Sequence, residues 1–144
     1  MKKYLVFIFV ILLLFITACN NEKKYDEWKD THKVYGDGTY QIIHQENKKI
    51  LTNCKHNQCV LTTIDNYTEK DTYVYFVGDY YLKKVYCKLD TTTNMLSYFV
   101  ENNDEDFIMV YLNDMLIDKQ IELLSSFDEF SEIDKSEFIA LKAS

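Results

Sequence analysis

Tyr81-Leu82-Lys83-Lys84-Val85-Tyr86-Cys87-Lys88-Leu89 alternates residue by residue, and its reading decides the fold class. Val85, Cys87 and Leu89 share one face of an extended chain, while Lys84, Tyr86 and Lys88 share the other. A half-buried strand follows, with its lysine stems directed toward water. Asp90 to Asn94 supplies a polar hairpin turn into a second strand, Met95 to Val100.

Upstream, shorter runs of β-branched and aromatic residues stand between polar breaks. Thr39 to His44, Lys49 to Asn53, Val60 to Asp65 and Thr72 to Val77 are the candidate strands, and Gly36-Asp37-Gly38 forms a turn before the first. Phe107 to Leu112 is apolar on both faces and reads as a central or helix-covered strand. The last third changes period. Ile117, Ile121 and Leu124 recur at helical spacing, and Ser131 can cap a second helix carrying Phe138, Ile139 and Leu141. The expectation is an α+β domain: an antiparallel β-sheet of about five to seven short strands with one or two C-terminal helices. An all-β alternative extends the sheet through Lys119 to Leu124.

The N-terminus carries a different message. Met1-Lys2-Lys3 is followed by Tyr4 to Ala18, 15 residues without a charge, the pattern of a secretory signal peptide. As a helix this run spans only about 22 Å, short of a roughly 30 Å hydrocarbon core. It ends Ile16-Thr17-Ala18-Cys19, which resembles the lipobox of bacterial lipoproteins. The resemblance covers the first 19 residues. It implies cleavage before Cys19 and a diacylglyceryl group on its thiol, with acyl chains supplying the double signal that stable anchoring needs. Residues 1–18 are then the signal peptide, 19–33 the lipidated cysteine and a short polar tether, and 34–144 a single globular domain.

Cleavage leaves 126 of the 144 residues and 14 of the 16 basic residues against 23 acidic ones, a formal net charge of −9. That size suits one domain. Every basic residue is lysine; the negative field and the lack of arginine's bidentate fork argue against nucleic acid as a partner. The composition suggests an AT-rich genome. The mature part resembles small lipoproteins of low-GC Gram-positive bacteria with an early turn like Tyr35 to Gly38 and a late Phe-rich acidic segment like Phe127 to Leu141. That resemblance implies location on the outer face of the cytoplasmic membrane, and it implies no activity.

Three cysteines remain beyond the lipid site. Cys54 and Cys59 flank a four-residue loop and are a candidate disulfide, which an extracytoplasmic location permits; free or differently paired thiols are the competing reading. Cys87 is expected to face inward as a small hydrophobe. Adding His56 to the three cysteines gives zinc-type ligands, but the spacing matches no known zinc signature. No metal or cofactor is therefore expected. Glu101 to Asp106 holds four carboxylates without the ligand order of an EF-hand. His32 and His44 have no nearby nucleophile in a recognisable arrangement, and no catalytic residue is assigned. Aromatic residues from Tyr73 to Tyr86 read chiefly as core, with one or two tyrosines left for a surface. The expected function is a non-catalytic binding module held at the membrane surface, with a protein or envelope ligand of basic character as partner. The rival is an envelope enzyme whose site assembles only in three dimensions.

Overall fold

The computed structural model describes residues 30–102, 105–108, 112–116 and 118–144. The expected signal peptide, Cys19, the expected tether up to residue 29, Ile117 and half of the Phe107–Leu112 run lie outside the described residues.

Two sheets form among the described residues. The first holds β1 (Thr31–Tyr35), β2 (Tyr40–Gln45), β3 (Lys48–Asn53) and β4 (Gln58–Leu61) as an antiparallel meander. The second holds β5 (Thr63–Lys70), β6 (Tyr73–Tyr80), β7 (Lys83–Asp90) and β8 (Met95–Val100), all antiparallel, with β9 (Ile121–Leu123) parallel to β8. Helical turns α1 (Glu105–Phe107) and α2 (Asn113–Leu116) connect β8 to β9, and α3 (Glu132–Ala143) closes the chain. The α+β class stands, with nine strands among the described residues and not five to seven.

Three local differences account for the excess. The expected strand Val60–Asp65 divides at Thr62, whose backbone N–H donates to Asp79 O at 2.9 Å, so one run serves both sheets. Polar Thr31 to Lys33, assigned to the tether, already belongs to β1. Ile121–Leu123 is a strand, as the alternative reading of Lys119 to Leu124 has it, and not helical: the Leu96 N–H donates to Gln120 O and the Leu124 N–H to Tyr98 O, both at 2.8 Å. Three apolar residues at helical spacing were too few to separate the two states. The Phe107–Leu112 run is also corrected, because Phe107 sits in α1 and its described residues form no strand. Phe107, Leu112 and Met115 are buried and plug the core between the sheets.

That core takes Tyr40, Ile42 and Leu51 from the first sheet and Phe76, Val85, Cys87, Leu89 and Tyr98 from the second. The Tyr98 hydroxyl bridges the layers, donating to Val60 O at 2.9 Å. Val85, Cys87 and Leu89 therefore face inward, as their alternation predicts. The same alternation predicts that the opposite face meets water, yet Tyr86 is only 2% exposed. Helix α3 covers it: Tyr75, Val77 and Tyr86 pack on Phe130, Phe138 and Leu141 in a second apolar cluster. The domain is thus three layers deep, sheet on sheet on helix.

Two turns fix the registers. Gly36 has φ 59°, and a Cβ there would come within 2.0 Å of Asn94 Oδ1 and 3.0 Å of Thr91 O in the β7–β8 turn, so glycine lets the two turns touch without displacing Asn94. The β6–β7 turn instead places Tyr81 (φ 45°) and Leu82 (φ 68°) in left-handed backbone, which costs roughly 1–2 kcal/mol per non-glycine residue.

Candidate functional site

Where the amino end of α3 crosses the second sheet, an open cleft of about 510 Å³ forms. Strand alternation puts Tyr73 and Tyr75 of β6 on the outer face, and Lys88 of β7 stands beside them. Ser131 caps α3, accepting the Asp134 N–H at 3.2 Å, while the Asp134 carboxylate accepts the Ser131 N–H at 3.3 Å. The same carboxylate forms the cleft floor. It accepts the Tyr75 hydroxyl at 2.8 Å and Lys88 Nζ at 2.8 Å and 2.9 Å through its two oxygens.

Burial opposes the charge on Asp134, but the Lys88, Ser131 and Tyr75 hydrogen bonds and the Lys88 ammonium outweigh it and hold the carboxyl below its ordinary value. Burial, followed by the bond to Asp134, pushes the Tyr75 hydroxyl well up, so it remains a donor. Lys88 Nζ also lies 4.2 Å from the Tyr73 ring centroid, a close cation–π contact. Lys70 pairs with Glu137 at the rim, where Ile133 is 66% exposed. The cleft therefore offers the half-exposed Tyr73 ring, an apolar lip and a floor in which the Asp134 carboxylate is already paired with Lys88.

The sequence-level candidates lie elsewhere. His56 Nε2 sits 3.3 Å from Oδ2 of buried Asp118. Asn53 Nδ2 donates to that oxygen at 2.8 Å, and the Gln120 N–H donates to Oδ1 at 3.0 Å. These bonds fasten the β3–β4 loop to the segment before β9. His32 and His44 form a separate pair with ring centroids 4.8 Å apart. Desolvation, then Lys49, His44 and Lys33, hold His32 below its ordinary value.

Cys54 and Cys59, one candidate disulfide pair, are free thiols in this structure, the competing reading. The register explains this: Cys59 lies opposite Thr52 and Gln58 opposite Asn53, leaving Cys54 beyond the ladder in the turn. The Cys59 thiol instead donates to Leu61 O at 3.2 Å, and Cys54 Sγ lies 3.8 Å from Thr52 Oγ1. Burial raises both thiols, Cys59 to about 11, so neither is an activated nucleophile at neutral pH. Cys87 is fully buried between the sheets. Among the described residues no three His, Cys, Asp or Glu side chains converge on one point. Glu101, from the acidic run, accepts the Tyr86 hydroxyl at 2.6 Å.

The Lys88–Asp134 floor is not legible in the sequence. Its partners are 46 residues apart, and the only signal was the presence of a lysine among tyrosines on a face read as solvated. Compared with known proteins, the chain matches no protein-family model, no curated protein and no solved structure.

Proposed function

We propose that this chain is a lipoprotein, anchored through Cys19 to the outer face of a bacterial cytoplasmic membrane, whose domain is a non-catalytic binding module. One observation carries the binding reading: the open cleft walled by Tyr73 and Tyr75, with charge held ready in Asp134 and Lys88. A half-exposed tyrosine such as Tyr73 brings contact area at low entropic cost, and tyrosines are enriched among binding anchors. Asp71, Asp134 and Glu137 outnumber Lys70 and Lys88 around the cleft. Together with the net charge of the mature chain, this favours a basic segment of a protein or envelope ligand, whose ammonium or guanidinium groups would replace Lys88 against Tyr73 and Asp134.

Photo-crosslinking tests the reading in intact cells. A benzophenone side chain at position 73 should trap one discrete partner, while the same group at position 139, on the exposed side of α3, should not. Capture should weaken about tenfold or more in Ile133→Asp, as expected for an anchor at a cleft lip, and should fall with added salt. Equal trapping from both positions, or none from position 73, would overturn it.

The His56–Asp118 pair supports a second reading, an envelope enzyme, because a buried carboxylate holding an imidazole is how a general base is oriented. Hydrolysis of an envelope substrate that disappears in a folded His56→Ala protein would favour it over binding.

A further inference from the structure

We propose that His32 and His44 form a two-imidazole chelate for a late first-row divalent metal ion, at a place distinct from the tyrosine cleft. The pairing is built into the strand register. β1 and β2 match Thr31 with Ile43 and Lys33 with Ile42, so His32 is the extra residue of a β-bulge. A bulge bends its strand and re-aims one side chain, and here His32 lies against His44. The backbone N–H of His44 donates to Asp30 O at 3.0 Å, which closes the strand end around the pair.

The ring geometry fits a shared ion. The centroids are 4.8 Å apart with the planes tilted 45°. A metal about 2.0–2.1 Å from a ring nitrogen lies roughly 3.2 Å from that ring's centroid. Two imidazoles on one ion then have centroids about 4.5 Å apart at a 90° ligand angle and about 5.2 Å apart at a tetrahedral one. The observed separation falls between these values. χ2 is a broad and nearly two-fold torsion, so its rotation changes which ring nitrogen faces the other imidazole.

The surroundings leave room for the ion. Both histidines are exposed, so water or a ligand carboxylate can complete the coordination. Two lysines stand near: Lys33 pairs with Glu69 and Lys49 Nζ lies 5.7 Å from the Tyr67 ring centroid, and both act on His32 as positive charges, so they favour the neutral imidazole that ligates a metal while opposing the ion's own charge. Imidazole nitrogen selects Ni²⁺, Cu²⁺ or Zn²⁺ over Ca²⁺ and Mg²⁺, which take oxygen ligands. With two protein ligands the site is open and exchangeable, suited to picking up an ion and passing it on.

The test titrates Ni²⁺ alone into the full-length lipoprotein in detergent, following heat and the histidine ring proton signals. One equivalent should broaden the His32 and His44 signals before those of His56. His32→Ala and His44→Ala should each weaken binding by at least the roughly 10–100-fold that a lost second-shell partner costs a metal site, while His56→Ala should leave it unchanged. Circular dichroism of each variant should match the parent. Unchanged Ni²⁺ affinity in both variants, or equal broadening of all three histidines, would overturn the proposal.

Discussion

Phe138→Ala should destabilise the domain by about 3–5 kcal/mol, the range for emptying a buried phenylalanine site. Phe138 is fully buried, with Tyr75, Tyr86 and Phe130 ring centroids 5.5, 5.5 and 4.8 Å away. These edge-on and tilted contacts add to the apolar area lost from water. Measured against a typical total of about 5–15 kcal/mol, the change should move the urea midpoint far down. Ile139→Ala, one residue along the same helix but 63% exposed, should shift it by no more than about 0.5 kcal/mol. Similar small shifts for both variants would mean that α3 does not seal the second sheet.

Asp134→Ala should be nearly as damaging, at about 2–4 kcal/mol. It breaks a mostly buried ion pair with Lys88, strands the Tyr75 hydroxyl and removes half of the α3 capping box. The Lys88 side chain is 22% exposed, so water reclaims part of its charge, and the expected cost lies below the full buried-pair value. A pH signature accompanies the loss. The Asp134 carboxyl titrates lower in the folded state than in the unfolded chain, so the unfolded state binds the extra proton first. The stabilisation is complete above the unfolded value near ~3.9 and disappears as pH falls through the lower folded value. Asp134→Asn should therefore flatten this part of the acid limb when urea midpoints are measured from pH 6 to pH 2. Parallel acid limbs for the two proteins would contradict the assignment.

Local pattern made half of this architecture legible. Alternation from Tyr81 to Leu89 identified the inward residues Val85, Cys87 and Leu89, and Ser131 marked the start of the last helix, because faces and caps are set by near neighbours. Burial of Tyr86 was not visible, since nothing local says which sheet face a distant helix will cover. The same limit hid the cleft, whose floor joins β7 to α3. Short elements failed for another reason. Ile121–Leu123 and Thr31–Tyr35 take their state from the strands they pair with, and three to five residues carry too little periodicity to compete. Cys54 and Cys59 flank a loop as a bonded pair would, but the register, which spacing alone does not reveal, offsets them.

The proposed location and partner both depend on lipidation at Cys19, so the most direct measurement is intact-mass and peptide mass spectrometry of the protein from the membrane fraction. The expected mature chain begins at diacylated Cys19, and Cys19→Ala should accumulate as unlipidated precursor. A mature chain that begins elsewhere and carries no lipid would contradict it.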